Sequence, residues 1–381
     1  MKTIKEYLYY FIKVNSEKSH RDYYRNYYAK YLDMYTSCEE KKSANIIKNE
    51  IRILKKYWNT YPIQYFRYNL YRKDCTLNIE EMKDYIPDYF AYYLLYPKSF
   101  KDRNILCEDK KLMYIVNTGL NIPQPNTLFF TENNSKLSTS LDLIDTTDCY
   151  NLIKKSNANK IFVKPTFGVG GKGIKVFNKK DNIFLDRNDN IVLDENYISE
   201  IAKNSYIIQE GVNQHTDINK IYPYAINTFR IITEYNQGEE PKIIFSLLRM
   251  GCGGMQIDNA SSGGIYIKIN SESGLLGKEA IADNRKTYTE HPDTQFLFNN
   301  YKIPFWNEII KFAKDIASKY SPIKYIGWDI AYSESGPILI EGNNGPSIEI
   351  IQDHFGGVRK KFDINNPNDF WFSKNYGLKD L

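Results

Sequence analysis

Apolar residues recur along this chain with two different periods, and the change from one to the other divides it. In the first hundred residues Tyr24, Tyr27, Tyr28, Tyr31 and Tyr35 return at three- and four-residue steps, the spacing of one face of an α-helix. Residues 44–57 repeat the pattern with Ile46, Ile47, Ile51, Leu54 and Tyr57. The region is therefore predicted to form helices that pack on one another or on the main body. Beyond residue 106 the texture changes. A helix ends at Gly119, Pro123 and Pro125 lead into a short strand at 127–131, and a polar stretch with few apolar anchors follows at 132–140. Strands then alternate with short helices to about residue 355, with strands predicted at 160–164, 174–177, 206–209, 229–235, 242–249, 264–269, 329–332 and 337–341. Residues 306–320 place Ile309, Ile310, Phe312, Ala313, Ile316 and Ala317 on one broad face, as a helix covering a sheet does. The polar end after Lys361 reads as an irregular surface segment. These elements predict an α+β chain: a helical, Tyr-rich region over 1–105, one α/β subdomain over 106–212, a second over 213–360, and a tail over 361–381.

Composition narrows the class. With 381 residues, 42% of them hydrophobic, the chain can build more than one core. The first hundred residues hold 19 of the 33 tyrosines together with many Lys and Arg. Such a region can also be read as a stacking platform for single-stranded nucleic acid or as a membrane-surface helix, but periodic tyrosines fit a core or lobe interface better. A net charge of +5 and a pI near 8.6 are explained by a solvated Lys-rich surface, and no nucleic-acid partner is expected. Cys38, Cys75, Cys107, Cys149 and Cys252 are odd in number, widely spaced and free of any Cys-x-x-Cys pair. Neither a disulfide framework nor a zinc site is suggested, and a reducing, cytoplasmic setting is expected. The N-terminal apolar stretch is broken by Lys13 and lacks a small-residue cleavage site. No run approaches the roughly 18 apolar residues of a membrane span. The oligomeric state is not legible.

Two segments carry chemistry. In IFVKPTFGVGGKGIKVF (161–177) a strand, Lys164, a glycine turn and a second strand follow one another. Gly168, Gly170 and Gly173 formally satisfy G-x-G-x-x-G, but that fingerprint needs a helix after the turn, and IKVF is strand-like. The Walker A pattern also fails, because Gly173 follows Lys172 where Ser or Thr is required. What remains is a hairpin whose tip, with Gly168, Gly170, Gly171 and Gly173, can fold over phosphate while Lys164 and Lys172 supply charge. In YIGWDIAYSESGPILIEGNNGPS (325–347) two strands joined by a turn at Ser333 to Gly336 set Asp329 beside Glu341. Both carboxylates sit among apolar neighbours, where burial is costly unless a cation meets them. Asn343, two residues on, adds a neutral oxygen, and this oxygen set suits Mg²⁺ with water and phosphate completing the octahedron. Asp329, Glu341 and Asn343 are therefore the candidate metal ligands. Arg230, on a strand expected to face a cleft, can clamp a phosphoryl group or a substrate carboxylate; Arg249 is a second candidate for the same work. Asp258 and Asn259 read as a substrate-side loop.

Taken in order, the lysine strand, the glycine hairpin, the hinge strand ending in QEGV, the distant Asp and the E-G-N run resemble the ATP-grasp superfamily over about residues 106–355. More narrowly, AINTFRIIT (225–233), DNASSGG (258–264) and GWDIAYSESGPILIEGNNGPS (327–347) look like its sugar-transfer-associated branch. The resemblance implies an ATP-grasp fold, in which two α/β subdomains clamp ATP. It implies that Lys110 and Lys164 contact ATP phosphates under the closing loop, and that Gln209, Glu210 and Val212 hold adenine mostly through backbone groups. His215 or Asp217 would meet the ribose. From the carboxylate pair itself, two Mg²⁺ ions bridged by a carboxylate are expected to neutralise β- and γ-phosphate charge. The implied activity is a ligase that phosphorylates a carboxylate and passes the acyl phosphate to an amine or hydroxyl, with an amino acid and a sugar or sugar nucleotide as substrates for a surface glycan. A kinase-type phosphotransferase on the same fold and a non-catalytic nucleotide- or nucleic-acid-binding module are the rival expectations. The first hundred residues match no pattern of the superfamily.

Overall fold

The computed structural model describes residues 8, 11–19, 29–100, 102–168, 170–188, 190–259 and 263–372. Tyr24, Tyr27 and Tyr28 of the expected helical stripe, Val169 of the glycine loop and residues 260–262 of DNASSGG lie outside them. The chain divides into two compact units, one of residues 1–99 with 347–381 and one of residues 100–346.

In the first unit, helices Ala29–Ser37 and Ala44–Trp58 follow the three- and four-residue apolar steps. Ser43 caps the second by accepting from the Ile46 amide. Ile47, Leu54 and Trp58 are buried, and Ile46, expected in the stripe, is 50% exposed. Tyr31, Ile63, Tyr65, Phe66, Leu70, Tyr71 and Met82 complete the core. The end of the chain departs from expectation. Phe362, Ile364 and Trp371 are buried, and Trp371 donates its indole N–H to the Trp58 carbonyl at 3.2 Å. Helix Ile348–Phe355 is tied to the N-terminal helices by Arg67–Asp353 at 2.8 Å and by the Gln352 amide, which bonds both backbone groups of Ile86. The described part of the expected surface tail, 361–372, together with the stretch from Ser347 assigned to the second subdomain, therefore belongs to the core of this unit. Aromatic anchors at irregular spacing bury it without any helical or strand period.

The second unit holds two antiparallel sheets. The first comprises β1 (Thr127–Glu132), β2 (Ser135–Leu137), β3 (Lys160–Pro165), β4 (Lys175–Lys180), β5 (Ile183–Asp186) and β6 (Tyr206–Glu210), in the order β2-β1-β6-β3-β4-β5. Helices Thr146–Lys155 and Glu195–Ile201 cover one face through Cys149, Ile153, Tyr197, Ile198 and Ile201. The second sheet comprises β7 (Thr228–Glu234), β8 (Lys242–Met250), β9 (Ile265–Lys268), β10 (Ala280–Ala282), β11 (Thr287–Tyr288), β12 (Tyr325–Ser333) and β13 (Gly336–Asn343), in the order β11-β10-β9-β8-β7-β12-β13. Helix Trp306–Lys319 packs Ile309, Ala313, Ile316 and Ala317 on it against Phe229, Ile231, Leu248, Trp328 and Ile330. Strands β7 and β12 are buried along their whole length, so this sheet is covered on both faces at its centre.

Candidate active site

Strand alternation decides which side chains leave the two cores. On β3, Ile161 and Val163 enter the first core, so Lys160, Phe162 and Lys164 face the opposite side. On the second sheet, Phe229, Ile231, Leu248, Trp328 and Ile330 face the helix. That leaves Thr228 and Arg230 on β7, Arg249 on β8 and Asp329 on β12 for the other side. The register pairs Thr228 with Arg249, Arg230 with Asp329, and Asp329 with Glu341 of β13. A register shift after Asp329 leaves Ile340 without a partner on β12, and the next pair is Ile330 with Leu339. This bulge lets Leu339 enter the core while Ile340 and Glu341 both face the cleft.

Two adjoining cavities result. One, of about 280 Å³, has apolar walls from Phe162, Val212, Ala225, Ile226 and Ile340, and polar edges from Lys160, Glu210, Gln214 and Gln256. The other, of about 100 Å³, collects Lys110, Lys164, the glycine loop with Lys172, Arg249, Asp258, Asn259, Asp329 and Glu341. Phe162, Lys164, Ile226, Gln256 and Ile340 line both.

The glycine loop joins β3 to β4 and bends through positive φ at Gly168, Gly170, Gly171 and Gly173. At Gly171 a Cβ would stand 2.7 Å from the Asn259 side-chain nitrogen, and at Gly173 it would meet Pro165 at 3.0 Å, so both positions need glycine. Lys110 opens helix Lys110–Gly119, its amide bonding the Thr166 carbonyl at 2.9 Å and its Nζ the Gly168 carbonyl at 3.1 Å. It thus tethers the loop. Burial pulls the Lys164 ammonium down to about 8; nearby Lys110 adds to this, while Glu341 and Asp258 oppose it.

At the far wall Arg230 grips Asp329 with both prongs, Nε to Oδ1 at 2.5 Å and Nη2 to Oδ2 at 2.7 Å. Arg249 donates to Asp329 Oδ2 at 2.8 Å and to Asn259 Oδ1 at 2.8 Å, and lies 3.6 Å from Asp258. Asp258 also accepts from the Thr228 hydroxyl. Burial opposes the charge on Asp329, yet the two guanidiniums bring its carboxyl down to about 2. Burial and the nearby Asp329 push Glu341 upward, and burial pushes Asp258 upward against the pull of Arg249.

The expected residues are thus brought together unevenly. Lys110, Lys164, Lys172, Gly168, Gly170, Gly171, Arg249, Asp329 and Glu341 share one cavity, Gly173 stands outside its lining, and Glu210 and Val212 line its neighbour. Asn343 lies beside Asp329, its Nδ2 3.5 Å from Oδ2. Arg230, expected to clamp substrate, has its fork taken up by Asp329. The Gln209 side chain turns to Lys164 at 3.1 Å. His215 and Asp217 stand outside both linings. His215 caps the short helix Thr216–Asn219 and lies 3.4 Å from Glu334, and Asp217 pairs with Lys220 at 2.6 Å. Gln214 and Asn219 occupy that part of the cavity wall instead. The walls made by Lys160, Phe162, Ile226, Gln256 and Ile340 were not anticipated; the i, i+2 spacing of Lys160, Phe162 and Lys164 is the signal that could have found the first two.

A family model described as sugar-transfer associated ATP-grasp matches residues 93–360. The chain belongs to that family. The two-sheet unit is its ATP-grasp fold. Several solved structures are similar to the chain at low identity. D-alanine–D-alanine ligase from Bacillus anthracis is 11% identical over 69% of this chain and 67% of that one, with a TM-score of 0.37. VanG D-Ala:D-Ser ligase from Enterococcus faecalis is 14% identical over 68% and 61%, with a TM-score of 0.40. An N5-carboxyaminoimidazole ribonucleotide synthetase in complex with ADP is 11% identical over 63% and 45%, with a TM-score of 0.37. The last two are thus matched over less than two thirds of their own length. No curated protein matches the chain in sequence.

ATP-grasp enzymes use ATP with Mg²⁺, and the donor set fits a hard cation in part. Glu341 offers oxygens beside Asp329, and a cation would relieve the crowding of the two carboxylates, whereas Asn343 turns its amide nitrogen to Asp329 and both Asp329 oxygens already accept from Arg230 and Arg249. Among the described residues no three His, Cys, Asp or Glu side chains are grouped to hold a metal. The remaining ligands would come from phosphate and water, as Mg²⁺ prefers. No helix of the described residues is long and apolar enough to cross a membrane.

Proposed function

We propose that this ATP-grasp protein is a carboxylate–amine (or hydroxyl) ligase acting through an acyl phosphate, and that it joins an amino acid or similar acid to a sugar or sugar nucleotide for a surface polysaccharide, in the cytoplasm. The observation that carries the proposal is the convergence of Lys110, Lys164, Lys172 and Arg249 with Asp329 and Glu341 in one cavity beneath the glycine loop, next to a larger chamber with apolar walls and polar edges. The chamber takes the adenine, with Phe162, Ile226 and Ile340 against its faces and residues 210–212 along its edge. The cationic cavity takes the triphosphate. Mg²⁺ held by Glu341, Asn343 and Asp329, as two ions, would neutralise phosphate charge.

The reaction takes two steps. A carboxylate oxygen of the acid bonds to the γ-phosphorus as the bond from that phosphorus to the β,γ-bridging oxygen breaks, and ADP leaves. The amine nitrogen, or a hydroxyl oxygen, then bonds to the acyl carbon; phosphate departs with the C–O electron pair and the nucleophile loses its proton. Lys164 and the loop amides orient the phosphates, Arg249 meets charge at the transferring group, and Arg230 acts one step back by holding Asp329. No protein nucleophile is required, so the work is positioning and charge stabilisation.

The test is ADP release from ATP and Mg²⁺ with a panel of amino acids, with and without amino sugars and sugar nucleotides, and mass spectrometry of the products. A ligase needs both partners for full ADP release and yields a condensed product. Stoichiometric ADP with a phosphorylated acceptor and no condensation would establish the kinase-type reaction instead.

A further inference from the structure

We propose that Gln209 is a positioning residue for Lys164: its side-chain amide, locked by Thr127, aims the lysine ammonium into the phosphate cavity and favours its charged form. This rests on the proposal that Lys164 contacts ATP phosphate. The register of the first sheet makes the arrangement. Gln209 of β6 lies opposite Phe162 of β3 on one side and opposite Thr127 of β1 on the other. Lys164, two residues beyond Phe162, is its diagonal neighbour on the same face. The contact follows: Lys164 Nζ donates to Gln209 Oε1 at 3.1 Å. The Gln209 Nε2 donates to Thr127 Oγ1 at 3.1 Å. Because the amide nitrogen is engaged by Thr127, the amide oxygen is the end left for the lysine.

Both partners of this relay are shielded, Gln209 being 6% and Thr127 5% exposed. A hydrogen bond from an ammonium to a fixed acceptor in such a place is worth more than one at the surface. Gln209 thus differs from the hinge residues that follow it. Glu210 and Val212 line the larger chamber, whereas the Gln209 side chain works behind the lysine. The amide also answers a need. Burial favours the neutral lysine, and Lys110 beside it adds to that. The other charged groups facing the cavity are Lys172 from the loop, Arg249 from β8, Asp258 after it, Asp329 from β12 and Glu341 from β13. A neutral acceptor on Nζ stabilises the cation without adding negative charge beside the triphosphate.

The experiment is titration calorimetry of full-length protein with AMP-PNP and Mg²⁺ from pH 6.5 to 9.5, for wild type, Gln209→Leu, Gln209→Glu, Thr127→Val and Lys164→Met. Wild-type affinity falls as pH rises through the lysine's titration near 8. Gln209→Leu is expected to weaken binding about tenfold at pH 7 and to move that fall to lower pH. Thr127→Val does the same to a smaller degree, because the amide is freed to turn. Gln209→Glu keeps an acceptor and adds charge, so the fall moves to higher pH and affinity at pH 7 exceeds that of Gln209→Leu. A merely structural Gln209 would lower affinity without moving the pH limb. If Gln209→Leu loses its fold by circular dichroism, Gln209→Glu and Thr127→Val decide by the direction of their limbs. Wild-type affinity and an unmoved limb in these variants, with Lys164→Met still impaired, would overturn the proposal alone. Wild-type affinity in Lys164→Met would overturn the phosphate assignment on which it rests.

Discussion

Asp329 holds a buried guanidinium on its own strand pair and a second from β8, and removing one partner at a time measures what that arrangement contributes. Arg230 and Asp329 are 9% and 2% exposed and share two bonds of 2.5 and 2.7 Å. The carboxyl is brought from 3.8 to about 2, which at about 1.4 kcal/mol per pH unit is on the order of 2–3 kcal/mol of stability. The folded pKa is depressed, so this contribution is fully present above pH 4 and is lost as pH falls through 2. Arg230→Met leaves Arg249 on the carboxylate and should cost about 3 kcal/mol, near the low end for breaking a buried pair. Asp329→Asn leaves two guanidiniums without their shared anion and should cost about 5 kcal/mol. The double variant should cost about 2 kcal/mol less than the sum of the two. Hydrogen exchange of the β7 and β12 amides at pH 7 and pH 5 reads the opening of this sheet directly. The coupling should be equal at the two pH values. A coupling below about 0.5 kcal/mol would show that Arg230 and Asp329 are neighbours without mutual dependence, and would refute the assignment of Arg230 as the support of Asp329.

Other perturbations probe the loop and the first unit. Gly171→Ala forces a positive φ of 69° on an alanine and drives its methyl toward the Asn259 amide. The left-handed backbone costs about 1–2 kcal/mol, so KM for ATP should rise roughly five- to thirtyfold with little change in Tm, and an unchanged KM would show that the loop does not close on nucleotide. Trp371→Ala removes a fully buried indole that stacks on Tyr89 and bonds the Trp58 carbonyl. It should cost about 3–5 kcal/mol, read as lost exchange protection in helix Ala44–Trp58; retained protection would show that the C-terminal segment is dispensable to that core.

How much of this was legible in the chain follows from how local each signal is. The strand–turn–strand around Ser333 to Gly336 and the apolar runs flanking Asp329 and Glu341 announce a hairpin, and the register does pair the two carboxylates. The alternation in 161–165 announces that Phe162 and Lys164 share a face. The bulge at Ile340 is not announced: simple alternation would put Leu339 beside Glu341, and only packing against Ile330 separates them. The Arg230–Asp329 and Arg249–Asp329 contacts join residues 99 and 80 positions apart, and no local pattern predicts which arginine is consumed. His215 and Asp217 adjoin the hinge in sequence, but a single turn of helix carries them to Glu334 and Lys220. Strands as short as Ser135–Leu137 and Thr287–Tyr288 have too few residues to show a period. The C-terminal segment misleads because its anchors, Phe362, Ile364 and Trp371, are scattered among polar residues.

The central claim is that the cavity holding Lys164, Asp329 and Glu341 binds the triphosphate of Mg²⁺-ATP. Equilibrium binding of AMP-PNP to wild type and to Glu341→Gln, each with Mg²⁺ and with EDTA, tests it most directly. The account predicts strong Mg²⁺ dependence in wild type, and in Glu341→Gln a native circular dichroism spectrum, at least tenfold weaker binding and little response to Mg²⁺. Equal affinity and equal Mg²⁺ dependence in the two proteins would contradict it.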